Sequence, residues 1–308
     1  MSTGVRLFEV SLRDGLQNER AILPTATKLA VLDRLVAAGL RDIEVTSFVR
    51  PDLLPQLADA SDVIAALPTS SDVRFWALVP NIRGFERALS SGVRHVSTVL
   101  SASETHNKRN VNATVRESLA ALQRVVADAR IEGLTVRSYV STAFGCPYEG
   151  AVDAARVVEL ALAFRAAGAD EVVFGDTVGV ATPRQVEGLV QRVMDAGLEL
   201  DRLALHLHDT LGMAVANAWA AYEMGVRAFD GAVAGVGGCP YAAGAAGNAC
   251  TQDLVYLFEQ AGASTGVSLE GLAAAGNLLE SALGRELPGR VHRFQAANRI
   301  RIASARSA

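Results

Sequence analysis

The feature that most constrains this chain is a regular alternation of short β-branched runs with longer runs rich in alanine and leucine. Eight β-branched runs predict strands, and amphipathic stretches with helical spacing lie between them. The predicted strands are Val5–Val10, Arg41–Thr46, Val73–Val79, Val93–Leu100, Leu134–Ser141, Ala169–Gly175, Arg202–His208 and Arg227–Val233. The main predicted helices are Pro24–Ala38, Val111–Glu132, Val152–Ala167, Thr182–Ala196 and Leu211–Met224. Glycines at 39, 92, 168 and 225 follow predicted helices directly, as is typical of helix C-termini.

Eight strand–helix units in about 260 residues match a closed (β/α)8 barrel, which typically has about 250 residues. An open doubly wound sheet could use the same units, but its phosphate-binding glycine pattern is missing after the first strand. In the glycine-rich stretch that begins at Gly235, Pro240 occupies the place of the last glycine, and no P-loop motif occurs. We therefore predict an α/β fold: a (β/α)8 TIM barrel over residues 1–263. A C-terminal helical extension with an Arg-rich tail, residues 264–308, is expected to belong to the same domain.

Composition narrows the class of protein. The chain of 308 residues has 29 Lys+Arg against 33 Asp+Glu, a net charge of -4, and 50% hydrophobic residues. These values exclude a disordered chain, and the absence of a basic stripe argues against nucleic acid as a partner. We find no apolar run of about 18 residues and no signal-peptide core, so neither a membrane span nor export is expected. Three cysteines are too few for a disulfide framework. These features predict a soluble cytoplasmic protein.

Polar residues concentrate near the ends of particular predicted strands. Because active sites of such barrels lie at the C-terminal ends of the strands, these residues are the candidates for chemistry. They are Glu9, Arg13 and Asp14 after strand 1, Glu44 on strand 2, Asp176 after strand 6, His206, His208 and Asp209 at strand 7, and Cys239 and Asn248 after strand 8. Closure of the barrel would make strands 8 and 1 neighbours. The candidates then form one arc of the rim.

His206 and His208 lie two apart on a predicted strand, so both rings leave the same face. Such a pair at a barrel mouth suits a divalent metal, whereas the alternative is two core histidines with satisfied hydrogen bonds. The nearby carboxylates favour the metal.

Arg13 and Asp14 are adjacent, so a regular strand would point them to opposite faces. Gly15 would let the backbone break there and bring both into the site. The alternative is an exposed turn with a charged pair.

The long glycine-rich loop 235–248 suggests a mobile lid in which Cys239 could act as nucleophile or acid, although such loops are often only turns. Cys146 and Cys250 are expected to be buried. In the tail, Arg285, Arg290, Arg293, Arg299, Arg301 and Arg306 accompany a single acid, Glu286. They predict either a solvated terminus or a cationic flap near the phosphates of a ligand.

Six segments lie in unbroken order between about Val5 and Gly276: EVSLRDGLQNE at 9–19, EVTSFV at 44–49, GCPYEG at 145–150, GDTVG at 175–179, HLHDT at 206–210 and GGCPYA at 237–242. Together they resemble the 3-hydroxy-3-methylglutaryl-CoA lyase family. The chain departs from the family pattern at Ser11-Leu12, where Gly-Pro is usual, at Arg20 and at Gln252. No cysteine follows Cys250. These departures remove no metal ligand but leave the acyl group of the substrate open.

The resemblance implies a set of site residues. The metal ligands would be Asp14, His206, His208 and Asn248, holding Mg²⁺ or Mn²⁺ with room left for substrate oxygens. The family's catalytic arginine falls on Arg13 and its loop cysteine on Cys239. Its supporting acids fall on Glu9, Glu44 and Asp176, and Gln17 is expected to contact the substrate with Arg13 and Glu44.

The reaction so implied is a retro-Claisen cleavage of an acyl-CoA substrate to acetyl-CoA and acetoacetate, with His206 or Asp14 as candidate base. Arg13 would stabilise the enolate oxygen, and Cys239 would return a proton to carbon. A homo-oligomer, a dimer or higher, is expected. Three alternatives stay open: a lyase for a longer 3-hydroxy-3-alkylglutaryl-CoA, a Claisen condensing synthase, and a non-catalytic barrel. Synthases usually carry an added regulatory domain, for which 308 residues leave no space.

Overall fold

The eight predicted strands close into a parallel barrel in chain order. A computed structural model describes residues 4–69, 72–239 and 242–298. The strands are β1 Arg6–Glu9, β2 Asp42–Ser47, β3 Arg74–Leu78, β4 His95–Ser101, β5 Thr135–Ser141, β6 Glu171–Asp176, β7 Leu203–Leu207 and β8 Ala228–Gly231. β1 pairs with both β2 and β8, so the sheet has no free edge. The predicted TIM barrel is confirmed, and the open sheet is excluded.

Helices follow the strands around the outside of the barrel. They are α1 Thr25–Ala37, α2 Ala60–Ala65, α3 Ile82–Ser90, α4 Glu104–Val111, α5 Val115–Ile131, α6 Ala154–Ala167, α7 Pro183–Asp195, α8 Ala214–Glu223, α9 Thr251–Gln260, α10 Leu269–Leu283 and α11 Arg290–Asn298. A short antiparallel pair, β9 Gly238–Cys239 and β10 Ala242–Ala246, follows β8. No helix in the described ranges is long and apolar enough to cross a membrane.

One predicted helix, Val111–Glu132, is wrong in its first part. Val111 ends α4, and Asn112 takes a left-handed conformation with φ of 54° that stops the helix. Thr114 then starts α5 with a capping box, in which its hydroxyl accepts from the Glu117 amide and the Glu117 carboxylate accepts in return. Asparagine tolerates the left-handed region, so a residue inside the amphipathic run divides it.

The C-terminal extension is built onto the barrel. The Ser268 amide donates to the Ala38 carbonyl at 2.7 Å, and Leu272 and Leu279 of α10 are buried in the same apolar layer as the strands. With 15 residues, α10 is longer than the short helix expected there. The extension therefore closes the outside of the barrel between its last and first units.

The inside of the barrel is unusually polar. The inward positions on β5 and β8 include Arg137, Tyr139 and Asp230, all buried. The Arg137 guanidinium lies over the ring of Phe8, 3.8 Å from its centroid, and pairs with Glu171 and Asp230. This ionic layer lies below the strand ends and supports the site described next.

Candidate active site

Arg13 and Asp14 reach the barrel mouth through a helical turn that begins where β1 ends. Residues Ser11–Gly15 form one π-helical turn, closed by the Gly15 amide donating to the Val10 carbonyl at 3.1 Å. Both side chains are buried. The backbone therefore leaves the strand before Arg13, not at Gly15 as the sequence suggested. A Cβ at residue 15 would lie 2.6 Å from Cγ1 of Val236, so glycine is needed for the close approach of the loop after β8.

Three predicted metal ligands converge on one point. The Nε2 atoms of His206 and His208 lie 3.9 Å and 3.8 Å from Oδ2 of Asp14 and 3.1 Å from each other. All three residues are buried, and one ligand atom of each lies within 4.8 Å of the others. Two imidazole nitrogens that face each other beside a carboxylate form a donor set that a divalent cation would satisfy.

Asn248, the fourth predicted ligand, lies beside this cluster. Its backbone is bridged to His208, and its side-chain nitrogen donates to the Val236 carbonyl at 3.2 Å. Its Oδ1 is buried and has no hydrogen-bond partner among the described residues. An acceptor left over in a buried site calls for a cation or a donor from a ligand, so the residues fit the implied metal.

Electrostatics keep these groups in the forms that bind metal. Burial alone would raise the pKa of Asp14, but the neighbouring Arg13 guanidinium outweighs it, so the net direction is downward. Burial and the neighbouring His206 lower the pKa of His208 to about 4. At neutral pH, Asp14 is thus a carboxylate and His208 a neutral imidazole.

Arg13 is held rigidly between two acids. Its Nε donates to Oε2 of Glu44 and its Nη1 to Oδ1 of Asp14, and its guanidinium lies 5.8 Å from the centroid of the Tyr139 ring. Burial lowers the pKa of Arg13, but Glu44 and Asp14 more than offset this, so the net direction is upward. Gln17 donates to Asp14 at 2.7 Å. A permanent cation therefore lies next to the cluster of Asp14, His206 and His208.

Glu9 and Asp176, two other predicted acids, hold loops. The Glu9 carboxylate accepts from the Ser11 and Val233 amides at 3.0 and 2.9 Å and from the Thr251 hydroxyl at 2.6 Å, which joins the loops after β1 and β8. The Asp176 carboxylate accepts from the Val180 and Ala181 amides, both at 3.0 Å, in the connection before α7. A catalytic role for Asp176 stays a prediction.

The burial of Glu9 gives a test of its loop-holding role. Burial raises its pKa to about 7, so its contribution to stability is complete at low pH and is lost as pH rises through 7. Glu9→Gln stays neutral and keeps the acceptor for both amides. We therefore compare the free energy of unfolding of Glu9→Gln with that of wild type. At about 1.4 kcal/mol per pKa unit, this difference should shift by about 2–3 kcal/mol in favour of the variant from pH 5 to pH 8. Urea unfolding at several pH values measures this, with the exposed Glu132→Gln as control. Parallel pH curves would contradict it.

Sequence reasoning missed Asp230 and its partners. Asp230 lies at the third position of β8 and contacts three side chains: Nη2 of Arg137 at 2.6 Å, the Tyr139 hydroxyl at 2.8 Å and Nδ1 of His206 at 3.1 Å. Although burial opposes it, Arg137 lowers the pKa of Asp230 to about 2. The available signal was a carboxylate at an inward position of a buried strand.

The three cysteines differ in environment. Cys146 and Cys250 are buried and free, as predicted, and burial raises the pKa of the Cys250 thiol. Cys239 has its backbone in β9, and its side chain lies outside the described residues. The segment expected as an irregular loop thus contains a short antiparallel ribbon. Its role as a lid stays a prediction.

The first three arginines of the tail are exposed to solvent, and each lies near an acid. Arg285 pairs with Glu19 in the loop after β1, and Arg290 pairs with Asp209 after β7 at 2.9 Å. Arg293 lies 3.8 Å from Glu286. The first two pairs attach the extension to the rim. The second pair also engages Asp209, which lies outside the cluster of Asp14, His206 and His208. The other arginines, Arg299, Arg301 and Arg306, lie outside the described residues.

The same chain organisation occurs in known proteins. The HMGL-like family model matches residues 4–279. Hydroxymethylglutaryl-CoA lyase YngG of Bacillus subtilis is 45% identical over 93% of this chain and 95% of its own length. The human mitochondrial hydroxymethylglutaryl-CoA lyase is 42% identical over 93% of this chain and 88% of its own.

Solved structures of hydroxymethylglutaryl-CoA lyases have the same fold as this chain. A crystal structure of the Bacillus subtilis HMG-CoA lyase superposes with a TM-score of 0.93 at 43% identity, covering 96% of this chain and all of that one. An HMG-CoA lyase from Acinetobacter baumannii, in complex with coenzyme A and 3-methylmalate, gives a TM-score of 0.90 at 36% identity over 95% of each chain. With the family model spanning the barrel and relatives this similar over nearly the whole chain, the protein belongs to the 3-hydroxy-3-methylglutaryl-CoA lyase family.

Proposed function

We propose that this protein cleaves 3-hydroxy-3-methylglutaryl-CoA to acetyl-CoA and acetoacetate with the help of one divalent cation. The observation that carries the proposal is the buried cluster of Asp14, His206 and His208 with Arg13 fixed beside it. Relatives with 42–45% identity over nearly the whole chain are named as lyases of this substrate. Binding of an acyl-CoA thioester is supported by the coenzyme A in the Acinetobacter baumannii relative.

The cation would be held by Asp14, His206, His208 and Asn248. When bound, it supplies Lewis-acid chemistry and lowers the pKa of a substrate hydroxyl. Oxygen and imidazole donors together suit Mg²⁺ or Mn²⁺.

The chain's own residues then account for the rest of the cleavage. Asp14 takes the proton of the 3-hydroxyl, since the cation and Asp230 would engage both nitrogens of His206. The C2–C3 bond breaks with its electron pair left on the acetyl-CoA fragment. Arg13, held by Glu44 and Asp14, stabilises the enolate thioester oxygen as a preorganised charge. Cys239 delivers the proton to carbon. Glu44 and Gln17 border the same space and would contact the substrate. The low dielectric constant of such a buried site strengthens each of these interactions.

The proposal also covers the location and the assembly of the enzyme. We infer a cytoplasmic enzyme that forms a homo-oligomer, a dimer or higher, and acts on no nucleic acid or membrane. A lyase for a longer 3-hydroxy-3-alkylglutaryl-CoA and a condensing enzyme are the alternative functions.

A product assay distinguishes these functions. Purified protein with Mg²⁺ is incubated with 3-hydroxy-3-methylglutaryl-CoA and, separately, with longer 3-alkyl homologues, and the products are followed by chromatography. Equal amounts of acetyl-CoA and acetoacetate from the methyl substrate, with slower cleavage of the homologues, are expected. Faster cleavage of a longer homologue would reassign the substrate, and no cleavage of any thioester would contradict the function.

Cys239 gives a prediction that separates proton transfer from binding. Cys239→Ala should bind metal and thioester almost normally, yet lose at least about 100-fold in kcat, within the range for a lost general acid. The buried Cys250→Ala serves as the matched control and should keep both properties, because its thiol faces Gln252 and Gly289. Calorimetric binding and steady-state kinetics measure the two effects. A Cys239→Ala enzyme with a rate close to wild type would assign the proton to another group.

A further inference from the structure

We propose that Asp230 is a positioning residue for the metal site: it holds His206 in the orientation and tautomer that turn Nε2 toward the metal. This inference rests on the divalent-metal site in the proposed function. It concerns a residue of β8 that lies directly beside His206 in the strand register and belongs to none of the segments that carry the ligands.

The hydrogen-bond partner of His206 identifies which of its ring nitrogens carries the proton. Nδ1 of His206 lies 3.1 Å from Oδ2 of Asp230. A carboxylate can only accept a hydrogen bond, so Nδ1 must be the donor. In a neutral imidazole, Nε2 then keeps its lone pair. That nitrogen is the one that faces His208 at 3.1 Å and Asp14 at 3.9 Å.

Asp230 is kept ionised and in place by two neighbouring side chains. Arg137 donates to Oδ1 of Asp230 at 2.6 Å, and the Tyr139 hydroxyl donates to Oδ2 at 2.8 Å. Arg137 and Asp230 are both buried, and Arg137 is fixed from its other side by Glu171 at 2.5 Å. The carboxylate therefore presents Oδ2 to His206 from a rigid ionic layer.

The hydrogen bond from His206 to Asp230 would strengthen the binding of a metal ion. A histidine ligand whose second nitrogen is held by a carboxylate has a set ring orientation and a more basic coordinating nitrogen. Removal of such a partner typically costs about 10–100-fold in metal affinity. The alternative explanation is that Asp230 only neutralises the buried charge of Arg137.

Two variants separate these explanations because each removes one of the two acids that pair with Arg137. Asp230→Asn removes one acid from Arg137 and the carboxylate from His206. Glu171→Gln removes the other acid from Arg137 and leaves His206 untouched. Thermal unfolding should show a comparable loss of stability in both folded variants. Titration with Mn²⁺, followed by the electron paramagnetic resonance of free Mn²⁺, should show a loss of about 10–100-fold in affinity only for Asp230→Asn.

A second readout needs no metal at all. Imidazole ¹⁵N resonances of the metal-free wild type should show His206 protonated at Nδ1, and those of Asp230→Asn a mixture of tautomers. Unchanged Mn²⁺ affinity in Asp230→Asn, an equal loss in Glu171→Gln, or wild-type His206 protonated at Nε2 would each overturn the inference. Failure of the wild type itself to bind Mn²⁺ would instead contradict the metal site in the proposed function.

Discussion

His208→Ala should lower the affinity for a divalent cation by more than about 100-fold, beyond the loss expected for an outer hydrogen-bond partner, and should remove nearly all turnover. The variant deletes one of two imidazole nitrogens that face Asp14 in a buried site. Chelation of the wild type should abolish activity in the same way, and Mg²⁺ or Mn²⁺ should restore it. Calorimetric titration and product formation measure both effects.

Leu207→Ala is the matched control for this prediction. Leu207 lies on the same strand and points away from the site, into the apolar layer against the helices. Its truncation should cost about 2–5 kcal/mol of stability as a core substitution while leaving metal affinity nearly unchanged. Full activity of metal-free protein would contradict the metal-dependent mechanism.

Arg13→Met should lower kcat by at least about 100-fold, the scale of a lost oxyanion donor, with a much smaller change in KM. Charge on the thioester oxygen develops only as the bond breaks, so a cation aimed at that oxygen acts mainly on the transition state. The guanidinium is already held by Glu44 and Asp14 before substrate arrives, so little reorganisation is needed. Steady-state kinetics with the same thioester separate kcat from KM.

The control for this prediction is Arg50→Met. Arg50 is exposed and pairs with Asp52 in the loop after β2, so its loss should leave kcat unchanged. An Arg13→Met enzyme that keeps more than about a tenth of the wild-type kcat would remove Arg13 from the mechanism, because a lost donor of this type costs far more.

Much of this molecule could be predicted from local sequence pattern. The alternation of β-branched and helical runs placed all eight strands, since strands buried on both faces read as continuous apolar runs. The number of strand–helix units and the length of the chain then predicted a closed barrel. Because alternate residues of a strand point to the same face, His206 and His208 could be placed together. Asp14, Arg13 and Asn248 could be assigned to the same site because the ends of strands 8 and 1 must meet in a closed barrel.

Tertiary structure decided how those residues act, because their geometry depends on contacts between distant parts of the chain. The π-helical turn that brings both Arg13 and Asp14 inward packs its Gly15 against Val236 of the loop after β8, and a Cβ at residue 15 would block that contact. Asp230 finds His206, Tyr139 and Arg137 only when three strands pack their inward faces together. The periodicity of the sequence predicts which residues share a face of one strand. It does not predict which atoms come into contact across the barrel, and the ion pairs and hydrogen bonds that support the site are contacts of that kind.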